Sequence, residues 1–184
     1  MKNPLLHFSI ITSLLLGACK KDKNEVNQPP AEINEEELIT SLLIHLYRLD
    51  NAGDTTTFAF RDLDGPGGLD PEPIDTIFLT ANTTYGCFLS VLNESVVPTD
   101  DITPEIESEA DEHLFCFDVV NAALTIVRTD TDGTYEVGLH SAWTTAAATG
   151  GDLQISLKHQ PGIKNGSCDL GDTDIELRFP VVIQ

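Results

Sequence analysis

From residue 55 onward, apolar and polar side chains alternate in short runs separated by turn-forming residues. Successive side chains of a strand point to opposite faces, so a period of two marks a half-buried strand. Thr55-Thr56-Thr57-Phe58-Ala59-Phe60 is the first such run, rich in β-branched and aromatic residues. Asp64-Gly65-Pro66-Gly67-Gly68 and Asp70-Pro71-Glu72-Pro73 end it. Runs at 77–79, 83–92, 114–119, 123–128, 134–143, 153–158 and 175–183 follow, with turn signals between them. The pattern predicts an all-β fold, an immunoglobulin-like antiparallel β-sandwich with one short crossover helix.

Two segments carry another period. Leu38, Ile39, Leu42, Leu43, Leu46 and Leu49 recur at helical spacing, so 36–49 fits an amphipathic helix. Read as a strand, the segment puts Leu38, Leu42, Ile44 and Leu46 on one face and His45 and Tyr47 on the other. Its β-rich context selects the strand. In 103–111, Thr103 suits a cap, Pro104 the first helical position, and the early carboxylates the positive end of a helix dipole. This is the expected helix, crossing between the sheets.

The N-terminus differs from everything after it. Lys2 supplies a positive end, 5–16 is mostly apolar, and Leu16-Gly17-Ala18-Cys19 closes the run in the form of a bacterial lipobox. The run is too short to span a bilayer, which takes about 20 apolar residues. The expected organisation is a lipoprotein signal peptide at 1–18, a lipidated Cys19 with a flexible tether at 19–36, and a single β-sandwich domain at 37–184. The tether holds charged Lys20-Lys21-Asp22-Lys23-Asn24-Glu25, then Gln28-Pro29-Pro30-Ala31, with few apolar groups to bury.

Charge narrows the choice of partners. The chain has 30 acidic and 10 basic side chains. Removal of 1–18 takes away one lysine and no carboxylate, leaving a charge of −21. Such a surface repels nucleic acid, attracts cations and keeps a tethered domain soluble. With Cys19 given to the lipid, three cysteines remain, enough for one disulfide and one free thiol. Cys87 and Cys116, both in strand runs, are the candidate pair. The alternative is that both are small buried core residues.

Several segments together resemble a family of small lipoproteins from Bacteroidota. They are Asn34-Glu35-Glu36-Glu37, Arg61-Asp62-Leu63-Asp64-Gly65, Leu79 to Tyr85, Val91-Leu92-Asn93-Glu94, Asp101 to Glu107, Ala110 to His113, Leu157 to Pro161, Asp172 to Leu177 and Phe179 to Gln184. Members are often called type 1 periplasmic binding fold superfamily proteins. That label implies a two-lobed α/β protein, whereas this chain lacks alternating strand and helix patterns. The resemblance implies an outer-membrane location, on the periplasmic or cell-surface side, rather than an activity. The charged run after Cys19 resembles tags that send some lipoproteins of this phylum to the cell surface.

Candidate chemistry is confined to two groups. Asp62-Leu63-Asp64-Gly65 and Asp130-Thr131-Asp132-Gly133 place alternate carboxylates before a glycine turn, a geometry that can wrap calcium; the alternative is a β-turn. His113, after Asp111-Glu112, and His159 are candidate zinc or copper ligands if their strands meet; the alternative is structural hydrogen bonding. Trp143 shares a face with Leu139 and is assigned to the core. There is no nucleophile elbow and no phosphate-cradling loop. The expected function is a non-enzymatic binding or accessory lipoprotein assisting a TonB-dependent importer. The alternative is a metal-ion binding lipoprotein, with calcium as the candidate ligand of the acidic loops.

Overall fold

The computed structural model describes residues 38–184. The expected signal peptide, Cys19, the expected tether and Asn34-Glu35-Glu36-Glu37 lie outside the described residues. Ten strands and one helix follow in order: β1 Ser41–Arg48, β2 Asn51–Arg61, β3 Ile77–Leu79, β4 Thr84–Asn93, β5 Asp100–Asp101, α1 Thr103–Ser108, β6 His113–Val120, β7 Leu124–Arg128, β8 His140–Thr145, β9 Thr149–His159 and β10 Asp172–Ile183. One sheet has the order β2-β1-β4-β8-β7, with β5 paired to the end of β4; the other has the order β3-β10-β9-β6. The expected sandwich is what the chain forms, with α1 as its crossover helix.

Segment 38–49 resolves as a strand. Leu42, Ile44 and Leu46 of β1 are buried, and His45 and Tyr47 are on the other face; Leu38, expected beside the buried residues, precedes the strand and is exposed. The three buried residues pack with Leu89 and Val91 of β4 and Trp143 of β8 against Phe115 of β6, Leu153, Ile155 and Leu157 of β9, and Phe179, Val181 and Ile183 of β10 in one continuous core. Trp143 is a core residue, as its alternation predicted, and its indole N–H donates to Ser141 Oγ at 2.8 Å. Burying a large aromatic without orphaning its N–H requires such a partner. Gly86 is obligatory for a different reason. It stands opposite Tyr47 in the β1–β4 register, and a Cβ there would lie 2.2 Å from the tyrosine ring.

The sequence reading needs three corrections. Pairing is not wholly antiparallel, because short β3 runs parallel to the end of β10. The run 134–143 is strand only from His140; before it lies a loop. Gly138 adopts φ +95°, and the Asp130 carboxylate accepts from the N–H groups of Gly138 and His140 at 2.7 and 3.0 Å. This loop joins the two sheets, since Phe115 N–H donates to Val137 O and Leu89 N–H to Leu139 O. In α1, Thr103 does not cap. Ile102 is the N-cap residue, and Thr103 Oγ1 accepts from Val91 N–H at 2.9 Å, docking the helix onto β4.

The topology gives the sandwich two ends. β1 begins, and β2 and β4 end, at the same end, where Thr40 N–H donates to Leu92 O and Asp62 N–H to Thr40 O. The helix carries the chain from β5 there to the start of β6, beside the end of β9 and the start of β10. The described chain therefore starts at the end that also holds loops 62–76, 94–99, 129–139 and 160–171. The opposite end holds turns 49–50, 80–83 and 146–148.

Candidate functional site

The polar residues that matter gather at the end where the described chain begins. β6 and β9 pair so that His113 stands directly opposite His159. Both are buried, and their rings stack with centroids 5.0 Å apart. His113 Nδ1 lies 3.1 Å from the Glu109 carbonyl, and His159 Nε2 lies 3.4 Å from Glu112 Oε2. Asp174 is the extra residue of a β-bulge in β10, and its charge acts on His113. A bulge re-aims a side chain in this way.

Burial pushes the His113 pKa below its ordinary value, and the neighbouring His159 lowers it further. The Glu109 carbonyl and the charges of Asp174 and Glu109 oppose this without reversing it. The unfolded residue takes up its proton near pH 6.5, the folded one only below that. In that window the unfolded chain binds more protons, so stability falls as pH drops below about 6.5. Denaturant unfolding at about pH 7.5 and about pH 5.5 tests this. His113→Phe should lose part of the acid-induced decrease, and an unchanged pH dependence would remove His113 as its source.

Just past the end of β9, Gln160 organises the following loop. Its side-chain amide donates to the carbonyls of Ser167 and Leu170, both at 2.8 Å, and its backbone N–H donates to Glu112 O. Gly171 closes the loop at φ +77°, where a Cβ would lie 2.2 Å from His159 O. Two further links fix the loop. Lys164 Nζ donates to Asp132 Oδ2 at 2.9 Å and to the Ala110 carbonyl at 2.6 Å. Cys168 is bridged to Cys116, with Cα atoms 6.0 Å apart.

The bridge corrects the expected pairing. Cys87 is not bonded to Cys116; it is a buried thiol in the other sheet. Desolvation pushes its pKa up to about 12 against a hydrogen bond from Ser141. Cys116 faces outward from β6 and meets loop 160–171 folded over it, which is why the loop cysteine is its partner.

The aspartate loops act as turns. Asp64 Oδ2 accepts from Leu69 N–H at 2.9 Å, and both Asp130 oxygens are taken by backbone N–H groups. Asp132 Oδ1 accepts from Thr134 and Tyr135 N–H, each at 2.7 Å, while Oδ2 takes Lys164. Desolvation raises the Asp132 pKa, but the Tyr135 N–H, Lys164 and the Thr134 N–H outweigh it and bring the value down to about 2. Asp62 and Asp64 sit in a different loop from Asp130 and Asp132. Of the sequence-selected metal candidates, the fold brings His113 and His159 into contact and leaves the two aspartate pairs in separate turns. Among the described residues, no three His, Cys, Asp or Glu side chains converge as a metal site.

Sequence reasoning missed Gln160 and Lys164, which carry no motif. It saw Cys168 only as a third cysteine in a Gly/Ser/Asp loop, and Asp174 only as half of an alternating carboxylate pair with Asp172, not as a neighbour of His113. Two recesses among the described residues are small. One of about 270 Å³ lies between Phe117 of β6 and Ile126 to Arg128 of β7. Another of about 250 Å³ lies on the outer face of the β6–β9–β10 sheet, among Asp118, Gln154, Lys158 and Glu176. Both fall below the roughly 300–1,000 Å³ that commonly enclose small molecules.

Comparison with protein-family models, with curated proteins and with solved structures finds no match.

Proposed function

We propose that the chain is an outer-membrane lipoprotein anchored through Cys19, a non-enzymatic binding or accessory module that assists a TonB-dependent importer. The observation that carries this reading is the Cys116–Cys168 bridge. Structural disulfides persist in oxidising compartments such as the bacterial envelope. The bridge thus agrees with the export signal and lipobox read from the first 19 residues. The site chemistry agrees with a binding role: Asp130, Asp132 and Lys164 of the loop end are engaged by neighbouring groups of the fold, and two recesses among the described residues are small. Such a domain recognises partners with its surface. The importer as partner rests on the resemblance to Bacteroidota lipoproteins.

Cys19→Ser tests the anchor. Each buried acyl methylene contributes about 0.8 kcal/mol, and stable anchoring takes more than one chain. The parent protein is expected in the membrane fraction and the variant in the soluble fraction. Unchanged partitioning would end the lipoprotein reading.

The second reading, metal-ion binding, has one observation in its favour, the stacked His113–His159 pair. Elemental analysis of the purified protein for zinc and copper tests it. For calcium, a ligand that selects the folded state raises the melting temperature by mass action. Calcium is expected to give the same melting temperature as sodium of equal ionic strength, because the loop carboxylates already hold backbone N–H groups and Lys164. A calcium-specific rise abolished by Asp130→Asn with Asp132→Asn would restore the calcium site.

A further inference from the structure

We propose that the end of the sandwich where the described chain begins is a docking face for the zwitterionic lipid surface that carries the anchor, with the loop tips at Leu69 and Val97 entering it. The proposal rests on the lipoprotein reading and adds an orientation to it.

Ten large apolar side chains are exposed among the described residues, and seven of them lie at this one end. Leu38, Leu63, Leu69, Val96 and Val97 belong to the start of the described chain and the loops after β2 and β4. Gly65, in the loop of Leu63 and Leu69, sits against Leu38, and the turn bearing Val96 and Val97 joins β4 to β5 beside Thr40. Tyr135 and Ile163 flank them on the loops joined by Lys164 and Asp132. Val97 is 99% and Leu69 80% exposed. Exposed apolar residues scattered singly are ordinary, whereas their concentration on one face marks a contact surface.

The loops are held in place before any contact. Glu94 pairs with Arg61 and accepts from Ser41 Oγ, its N–H donates to Thr40 Oγ1, and Leu69 N–H is fixed by Asp64. Prefixed tips lose little conformational entropy on docking.

Connectivity selects the occupant. Eighteen residues, 20–37, separate Cys19 from Leu38, a span of at most about 60 Å when fully extended. The anchor therefore keeps this domain beside the bilayer. A short tether raises the effective concentration to the order of millimolar, so partitioning of a few aliphatic side chains suffices to orient the domain. Charge decides which lipid. Asp62, Asp64, Asp70, Asp100 and Asp101 flank the tips along the chain and repel anionic headgroups; Glu94 is paired with Arg61. A zwitterionic surface imposes no such penalty.

The test uses the chain from residue 19 with Cys19→Ser and an N-terminal hexahistidine tag, held on phosphatidylcholine vesicles by a nickel-chelating lipid. Tethering then does not depend on native lipidation. An environment-sensitive nitrobenzoxadiazole label is attached at Val97→Cys, at Leu69→Cys, or at Ala147→Cys on the opposite end. Cys87 is buried and the other two cysteines are bridged, so the label goes to the added thiol. The expected result is a blue-shifted emission, quenched by brominated acyl chains, at 97 and 69 and neither effect at 147. Adding phosphatidylglycerol should diminish both effects. If the vesicles float with the protein while labels at 97 and 69 stay water-like, the docking face is wrong, and those tips serve a protein partner or none. The anchor itself is decided separately by fractionation of the Cys19→Ser chain, so either idea can fail alone.

Discussion

Loss of the Cys116–Cys168 bridge is expected to lower the melting temperature of the domain by on the order of 10 °C. The two cysteines are 52 residues apart in sequence. In the chain-entropy account, a link closing a loop of that size removes enough freedom from the unfolded chain to contribute about 4 kcal/mol. That is a large part of the roughly 5–15 kcal/mol by which domains are stable. The loss should appear in Cys168→Ser and, equally, in the parent protein under reducing conditions, and the variant should not respond to reductant. Cys87→Ser is expected to leave the response to reductant intact, since that thiol lies in the other sheet. A non-reduced peptide map should join the peptides of Cys116 and Cys168 and leave Cys87 alkylated only after unfolding. A map joining Cys87 to Cys116 would overturn the assignment.

Lys164→Met is expected to destabilise the domain by about 3 kcal/mol at neutral pH. The Lys164 and Asp132 side chains are only 2% and 6% exposed, so their charges are hardly screened by water. Removing the cation strands a buried carboxylate and also leaves the Ala110 carbonyl without its donor. The pH dependence identifies the cause. In the parent, Asp132 has its pKa depressed to about 2. A carboxylate with a depressed folded pKa contributes stability that is present above its unfolded pKa, near 3.9, and lost as pH falls toward the folded value. Without the lysine, the folded pKa rises and less stability remains to be lost in acid. The gap between parent and Lys164→Met should therefore narrow below about pH 4 in urea titrations. A gap constant with pH would mean that Lys164 acts through packing alone.

Both predictions concern loop 160–171, which the sequence presents only as a Gly/Ser/Asp segment between two strands. The strands themselves were legible, because a strand face is written locally. Phe58 and Phe60, and Leu153 through Leu157, announce their inward positions by a period of two that no distant residue has to supply; Leu42 through Leu46 fit a helical period as well, and only the β-rich context selects the strand. Trp143 was placed by the same rule. The helix at Thr103–Ser108 was legible from Pro104 and its acidic first turn, but its cap was not. Thr103 Oγ1 is claimed by Val91, 12 residues earlier, and local capping preference cannot know of that competitor. The run 134–143 failed for a related reason: Asp130 draws Gly138 and His140 onto its carboxylate and turns half of an apparent strand into a loop.

Sequence by itself determined the all-β class, the short helix, the buried face of most main strands and the residue types available for chemistry. These follow from side-chain periodicity and composition, properties of neighbours along the chain. Only the tertiary structure decided which of those residues meet. The β6–β9 register sets His113 against His159, the bulge in β10 brings Asp174 toward them, and the path of loop 160–171 carries Lys164 to Asp132 and Cys168 to Cys116. The His113–His159, Lys164–Asp132 and Cys168–Cys116 contacts each join residues more than 30 positions apart. Strand register, sheet partner and loop path fix such contacts, and these are chosen by burial of the whole core rather than by any local preference.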